Sequence, residues 1–420
     1  MTSRRTSSLL MPIAMFGVAT FFYLYEFLVR VSPNVLENEL ILAFNLDAKM
    51  FGFFSSCWYW AYAPLQLPVG ALTDKYGPRR LLTFAILLCS ASTLSLAYTT
   101  SFYLGCLMRF FIGAGSAFAF ISCMKIVHIW FDHHLFPLMT GLTLTIGTLG
   151  AAAGGIPLSL ALDFMNWRQV LIYLGFAGMV LAFLAFALIK DHNPNHAEVS
   201  MKKEDTPGFW RCLIEVMKQP QSWLVGIYCF FVTAPTDAFG GTWGVKFLVD
   251  THGISRDVAS TAAVTMTFIG MAVGSPILGW ISSVFDNRKV PMMISSLIAA
   301  LALTLIVFLP QLNGFWACVL FFLFGSSGTY VLAFVMTRRF SQPIYVGTAV
   351  GFVNMVSMFG SAILTYMIGW LLDAVSSGAL SSEGERIYTV SNYHLSLVVL
   401  PLFYAISALV IVPLIRDQKD

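Results

Sequence analysis

Four ionisable side chains lie inside long apolar stretches of the sequence: Glu26, Arg30, Arg109 and Asp237. A charge inside a bilayer is tolerated when it faces a partner or a water-filled cavity, so each of them is a candidate functional residue. A guanidinium can bind an anionic group, and burial favours the neutral form of a carboxyl, which can then exchange a proton near neutral pH. These residue types therefore predict anion binding linked to proton exchange.

The spacing of Glu26 and Arg30 predicts that they share one helix face, because Glu four residues before Arg is the favourable order for an ion pair. Two interpretations stay open. The pair lies at the membrane interface without a further role, or Arg30 binds an anion while Glu26 exchanges a proton. Asp237 follows Glu26 by 211 residues and comes just after Pro235, which permits a helix break. The alternative to proton coupling for Asp237 is a structural hydrogen bond to that helix.

Polar and aromatic side chains in two further segments are candidates for binding the same solute. Trp58, Tyr62 and Gln66 share a helix face at intervals of four residues, which places two rings and an amide in one row. An aromatic belt at the membrane interface is the alternative for Trp58. Asn354 is another buried polar candidate, and a helix–helix hydrogen bond is its alternative.

The composition excludes a single soluble domain, because 58% of the 420 residues are hydrophobic and only 11% are charged, against about 25% charged in soluble domains. Since roughly 20 helical residues cross a bilayer, we predict twelve spans. The net charge of +3 and the absence of a basic tract predict no nucleic-acid partner. The seven cysteines lack ligand spacing, so no metal or other cofactor is expected. The predicted spans cover 9–31, 49–72, 80–98, 101–124, 135–160, 168–189, 222–247, 257–282, 290–309, 312–335, 344–372 and 395–415.

The distribution of basic residues predicts the orientation of the chain. With the N-terminus inside, 17 Lys and Arg residues fall on the cytoplasmic side, 6 fall outside and Arg109 lies within the membrane. This is a strong positive-inside bias, and it places both termini in the cytoplasm. The polar segment 190–221 separates residues 1–189 from residues 222–420.

The two parts resemble each other at several separate positions, which indicates duplication. Glycines and a Leu-Asp pair recur at an offset of 210 residues: Gly141, Gly150 and Leu162–Asp163 correspond to Gly351, Gly360 and Leu372–Asp373. We interpret the chain as two six-helix halves. Twelve unrelated helices with packing glycines are the alternative.

The loop between spans 2 and 3 reads Gly70-Ala-Leu-Thr-Asp74-Lys-Tyr-Gly77-Pro-Arg79-Arg80. It resembles the signature loop of the major facilitator superfamily at every defining position. The resemblance implies an all-α membrane protein with twelve transmembrane helices in two pseudo-symmetric bundles. Gly70 and Gly77 are expected to permit close helix approach and a tight turn.

The same resemblance implies a gating role for this loop. Asp74 would dock near Tyr345–Thr348, at the start of span 11, when the cytoplasmic side is closed, with Arg79 and Arg80 as gate or topology charges. A well-packed positive-inside turn without gating is the alternative.

The fourth span, Arg109-Phe-Phe-Ile-Gly113-Ala-Gly115, resembles the family pattern R-x-x-x-G-x-G and is similar to organic-anion symporters of the superfamily. The resemblance implies that Arg109 acts in proton transfer or on solute charge, whereas a helix-locking donor is the alternative. It also implies secondary active transport by alternating access in a bacterial inner membrane.

We expect a monomer that imports an anionic or zwitterionic organic solute together with protons. Its expected partners are the solute, protons and the lipid bilayer. The alternatives are proton-coupled efflux of drugs or metabolites and a solute sensor without turnover. No phosphate-binding loop and no nucleophile–base set is present, so neither an ATP-driven pump nor an enzyme is expected.

Overall fold

The computed structural model describes residues 3–132, 135–191, 208–284, 288–327, 330–342, 345–379 and 386–416, and it is built from α-helices. The helices before residue 190 are α1 Ser3–Val35, α2 Glu37–Phe44, α3 Ala48–Leu65, α4 Val69–Tyr76, α5 Pro78–Tyr98, α6 Phe102–Ser116, α7 Ala119–Trp130, α8 Phe136–Ala153, α9 Ile156–Leu162 and α10 Trp167–Leu188. Those after it are α11 Phe209–Lys218, α12 Pro220–Pro235, α13 Gly244–His252, α14 Arg256–Ser260, α15 Thr267–Val284, α16 Lys289–Phe308, α17 Gly314–Ser326, α18 Tyr330–Phe340, α19 Val346–Val375, α20 Val390–Leu397, α21 Val399–Ile406 and α22 Val412–Leu414. Three π-helical segments, Thr236–Trp243, Thr261–Met266 and Ser407–Ile411, connect consecutive helices.

In the described residues, ten helices are long and apolar enough to cross a membrane. An eleventh span follows if α2 and α3, which meet at a bend of 112°, are counted as one. The predicted second span corresponds to α3 and α4, and the predicted tenth to α17 and α18. Several spans expected as continuous helices are divided. At Pro235 the chain does not break but continues into the π-helical segment Thr236–Trp243.

The internal repeat of the sequence has a counterpart in the helix ends. Three pairs of helix termini lie 210 residues apart: the ends of α5 and α16 at Tyr98 and Phe308, the ends of α6 and α17 at Ser116 and Ser326, and the starts of α8 and α19 at Phe136 and Val346. These three ends are therefore equivalent in the two halves, whereas the starts of α5 and α16 lie 211 residues apart and those of α6 and α17 lie 212 apart.

The bundle has two ends, which we name by the course of the chain. The terminal face is the end where α1 begins and α22 ends, and there the backbone N–H of Arg416 donates to Gln221. The distal face is the end where α1 ends and α3 begins. Helices α3 and α19 join the two halves from the Ala48–Gly369 contact near the distal face to the Gln66–Gly351 contact nearer the terminal face.

Helices α3 and α6 cross at Gly113, where a side chain cannot be accommodated. A Cβ atom at this position would overlap the backbone carbonyl of Trp58, whereas a Cβ at Gly17 of α1 would meet no atom within 4 Å. Gly113→Ala is therefore expected to destabilise the protein by about 1–3 kcal/mol or more through backbone displacement. Gly17→Ala is expected to be neutral or slightly stabilising. Thermal unfolding in detergent compares the two variants, and equal melting temperatures would contradict this account of the crossing.

Candidate functional site

A buried ion pair joins the two halves at the middle of the bundle. One terminal nitrogen of Arg30 on α1 lies 2.5 Å from Asp237 Oδ1, and the two side chains are 6% and 5% exposed. The other carboxylate oxygen of Asp237 accepts a 2.6 Å hydrogen bond from Ser361 on α19. The structure thus pairs Arg30 with Asp237, on the facing span of the other half, instead of with Glu26 on its own helix.

The position of Asp237 follows from the irregular helix that carries it. Asp237 is the second residue of the π-helical segment Thr236–Trp243, and π-helical turns occur frequently at functional sites. Asn34 of α1 donates to the carbonyl of Gly240 in this segment and accepts from the backbone N–H of Val245 in the following helix α13. Two hydrogen bonds from Asn34 therefore fix the irregular part of span 7 against α1.

Aromatic rings surround the Arg30 guanidinium. Its Cζ atom lies 4.8 Å from the ring centroid of Trp58 and 5.2 Å from that of Tyr59. Tyr62 stacks on Trp58 with the ring centroids 4.5 Å apart. Trp58 is fully buried, so the aromatic-belt interpretation is wrong for this residue. The predicted row of rings instead forms one wall around Arg30, and Tyr59 is a member that sequence reasoning did not single out.

Arg109 is directed at backbone carbonyl groups of α1. Its two terminal nitrogens donate to the carbonyls of Val29 at 3.1 Å and of Arg30 at 3.3 Å. Pro33 has no N–H to give to the Val29 carbonyl, which lies one helical turn before it. Arg109 supplies a donor in its place, which favours the helix-locking interpretation. Pro33 is the sequence feature from which this contact between Arg109 and α1 could have been predicted.

Glu26 lies inside the first half, 1% exposed. Its Oε2 atom has no hydrogen-bond partner. Ser116 lies beside the carboxyl, and its hydroxyl accepts from the Trp58 indole at 3.3 Å. Ser116 therefore lies between Glu26 and the ring that packs against Arg30.

Two of the predicted solute-binding residues contact each other across the halves. The side-chain amide of Asn354 on α19 donates to Gln66 Oε1 at 2.9 Å. The amide nitrogen of Gln66 is buried and has no hydrogen-bond partner. This pair lies on the terminal-face side of the Arg30–Asp237 ion pair and closes that side of the central region.

The signature loop adopts the expected turn and makes a contact that was not expected. Gly77 has φ = +79°, which favours glycine, and the next helix, α5, begins at Pro78. Asp191 accepts from the backbone N–H of Arg79 at 2.8 Å, and the Arg79 side chain donates to the carbonyl of Phe186. The described contacts of Arg79 thus lie at the end of α10 and in the residues just after it.

The remaining loop predictions have different outcomes. A Cβ atom at Gly70 would meet no atom within 4 Å, so the expected close helix approach is wrong there. Arg80 is exposed. The side chain of Asp74, and with it the proposed docking near Tyr345–Thr348, lies outside the described residues.

Charged residues of both halves meet at the distal face. Arg256 makes a two-pronged ion pair with Glu39 at 2.6 and 2.7 Å and also donates to the carbonyl of Val35. Lys246 is 9% exposed and lies 3.5 Å from Asp250. The first half thus covers Lys246 and partly covers Arg256, whose side chain is 32% exposed.

Asp373, near the end of α19, forms a second contact of the distal face. Its carboxylate accepts from the backbone N–H of Lys49 at 2.7 Å, from Arg386 at 2.9 Å and from the hydroxyl of Tyr388 at 2.7 Å. Lys49 lies in the first turn of α3, where a helix N-terminus favours a negative charge. An acidic residue of one half therefore binds a helix start of the other half.

The Arg256–Glu39 ion pair predicts a measurable effect on opening of the distal face. Arg256→Ala is expected to weaken closure by about 1.5–3 kcal/mol, which is roughly a 10- to 100-fold change in the open population. The test uses a Cys318→Ser background, because Cys318 is the one of the seven cysteines that is not buried. In this background, a cysteine replacing the buried Val31 should react faster with a membrane-impermeant maleimide when Arg256 is alanine. The doubly exchanged variant Glu39→Arg/Arg256→Glu should react at the slower rate again. Equal rates in all variants would show that this ion pair does not hold the face closed.

Comparison with known proteins identifies the class to which this fold and site belong. A family model of the Major Facilitator Superfamily matches residues 7–365 and 225–419, so the chain belongs to this superfamily. The chain is 24% identical over 435 residues to the probable galactarate/D-glucarate transporter of Escherichia coli K12, covering 93% of each sequence. It is 22% identical over 378 residues to the hexuronate transporter of Bacillus subtilis 168, covering 86% of this chain and 88% of that protein.

A solved structure shows the same fold at low sequence identity. It is the inward-facing, unoccupied form of a bacterial homologue of the human lysosomal transporter Spinster, with a TM-score of 0.79, 17% identity and 97% of each chain covered. The chain is thus an all-α, multi-pass membrane transporter of the Major Facilitator Superfamily and not an enzyme.

Proposed function

We propose that the chain imports a small organic anion together with a proton across a bacterial inner membrane, with its terminal face and both termini in the cytoplasm. The observation that carries the proposal is the buried Arg30–Asp237 ion pair between the halves. The two relatives named for sugar acids, galactarate/D-glucarate and hexuronate, support an anionic solute. The excess of Lys and Arg on the terminal side supports the orientation.

The solute shares the Arg30 guanidinium with Asp237. A carboxylate of the solute accepts from the Arg30 Nε, which is buried and has no hydrogen-bond partner, so neither charge is left unpaired. Asp237 keeps its ion pair with Arg30 and its hydrogen bond from Ser361. Trp58 and Tyr62 offer an aromatic wall to the body of the solute, and Gln66 and Asn354 close the site on the cytoplasmic side.

The charges of the central region favour a solute with one negative charge. Arg109 is engaged by two backbone carbonyls, which leaves Arg30 as the cation for the solute. With Glu26 neutral, Arg30, Arg109 and ionised Asp237 sum to one positive charge, which one monoanion balances. An ionised Glu26 without an ion-pair partner is costly at this depth. Glu26 therefore binds the coupled proton, and Ser116 and Trp58 lie between it and Arg30.

Alternating access moves residues 1–189 relative to residues 222–420, with residues 190–221 as the connection, and the protein acts as a monomer. Opening toward the outside requires separation of Arg256 from Glu39 and of Asp373 from the start of α3. Opening toward the cytoplasm requires separation of Gln66 from Asn354. The solute at Arg30 lies between these two sets of contacts.

Counterflow in proteoliposomes tests the proposal without assuming a direction of transport. Vesicles loaded with one unlabelled compound are assayed for uptake of its labelled form, with a hexuronate, a galactarate, a hexose phosphate and a lipophilic cation. We expect the hexuronate to exchange in the wild type and in the control Lys190→Gln, whose exposed side chain lies away from the site. Arg30→Ala is expected to lose this exchange.

The alternatives give different results in the same assay. Exchange of the lipophilic cation that persists in Arg30→Ala and is lost in Asp237→Asn would overturn anion transport in favour of efflux. Saturable hexuronate binding to the purified protein without counterflow would indicate a sensor.

A further inference from the structure

The short helix α11, Phe209–Lys218, has three chemically distinct sides. At about 100° per residue, Cys212, Leu213 and Val216 fall on one side, and all three are buried. Trp210, Ile214 and Met217 fall on the second side and are 72%, 51% and 44% exposed. The third side carries the charged residues Arg211, Glu215 and Lys218. Neither a fully solvated helix nor a core helix has this pattern.

The buried side of α11 packs on both halves of the protein. Leu213 and Val216 form a cluster with Ala349 and Phe352 of α19. Leu67, two residues after the end of α3 in the first half, and Tyr345, just before α19, pack against the same cluster. Helix α11 therefore covers the ends of spans 2 and 11 at the terminal face.

The chain places α11 at the membrane boundary. It ends at Lys218, and α12, the start of the seventh span, begins two residues later at Pro220. The indole of Trp223 in the first turn of α12 donates to the carbonyl of Met217 at 2.9 Å, and its ring packs on Phe352 with the centroids 4.8 Å apart. These contacts fix α11 beside the start of a membrane-crossing helix.

We propose that α11 is an interfacial helix whose second side, Trp210, Ile214 and Met217, inserts into the boundary between lipid headgroups and acyl chains. Tryptophan is enriched at this depth, and a helix with one apolar and one charged side lies in the membrane plane. A second protein is a poorer fit. One large aromatic buries 150–250 Å², so three side chains offer on the order of 400 Å², about half of what each partner contributes to a standard interface.

Anchoring of α11 in the bilayer is expected to affect how easily the terminal face opens. Because its buried side packs on Leu67 and on the first turns of α19, movement of span 11 away from span 2 must shift or uncover α11. The lipid-facing side resists that shift. We therefore expect the rate of solute exchange to depend on the apolar character of Trp210 and Ile214, although neither residue contacts the central site.

Spin labels test the three sides directly in proteoliposomes. In the Cys318→Ser background, a nitroxide is attached to a cysteine replacing Trp210, Ile214, Arg211 or Leu213, one at a time. The labels at 210 and 214 should be more accessible to oxygen than to a water-soluble nickel complex, the label at 211 should show the reverse, and the label at 213 should be shielded from both. Nickel accessibility at 210 and 214 equal to that at 211 would overturn the proposal. So would shielding of 210 and 214 from both reagents, which would indicate protein cover.

A functional comparison covers the case in which labelling at 213 unfolds the helix. Ile214→Asp places a charge on the lipid side, whereas Arg211→Asp changes the charged side of the same helix. Slower counterflow of any accepted substrate in Ile214→Asp alone supports the proposal, and equal rates in the two variants contradict it. Because the spin-label pattern does not depend on substrate, its outcome is separate from that of the proposed transport function.

Discussion

Asp237→Ala is expected to destabilise the protein by about 3–5 kcal/mol, because it leaves the Arg30 guanidinium buried without its charged partner. Arg30→Ala should have a cost of similar size, since it leaves Asp237 with only the hydroxyl of Ser361. The double variant removes both charges and should be more stable than either single variant. Thermal unfolding in one detergent measures all three.

An exposed pair serves as the control for this cycle. Lys218 and Glu215 lie 2.8 Å apart with side chains 65% and 40% exposed, so Glu215→Ala should change stability by no more than about 1 kcal/mol. Additive losses in the double variant Arg30→Ala/Asp237→Ala would show that the two charges do not depend on each other. In that case the Arg30–Asp237 ion pair would not stabilise the contact between the two halves.

Glu26→Gln is expected to separate solute exchange from proton-driven accumulation. A gradient of one pH unit corresponds to 1.36 kcal/mol per proton, so one proton per monoanion supports about tenfold accumulation in the wild type. Glutamine is close in size to the neutral carboxyl but cannot release a proton. The variant should therefore retain counterflow and accumulate no solute.

Steady-state uptake under an imposed pH gradient measures this difference, with Glu215→Gln as the control. Tenfold accumulation by Glu26→Gln would exclude Glu26 as the coupling residue. If Glu26→Gln lost both accumulation and counterflow, Glu26 would be required for solute binding or folding and not for coupling alone.

Much of the architecture is predictable from the sequence because it depends on local chemistry. Spans follow from continuous apolar runs, and the repeat of Gly150 at Gly360 predicts equivalent helices in the two halves. The turn at Gly77 follows from its place in the loop signature and is confirmed by its positive φ. These features require no knowledge of which helices face each other.

The site is less predictable because its contacts join residues far apart in the chain. Arg30 has Glu26 on its own helix, and only the packing of α1 on span 7 shows that Asp237 is its partner. Arg109 contacts α1 because Pro33 leaves a carbonyl without its helical donor, a combination that involves two spans. Arg256 and Asp191 find their partners in other spans for the same reason.

The measurement that tests the central claim most directly is proton movement caused by solute addition. Proteoliposomes contain a pH-sensitive dye, the membrane potential is clamped, and a sugar-acid monoanion that passes the counterflow assay is added outside. We predict internal acidification that follows solute uptake one to one and is absent in Arg30→Ala and in Glu26→Gln. Uptake with no change in internal pH, or with alkalinisation, would contradict proton-coupled anion import.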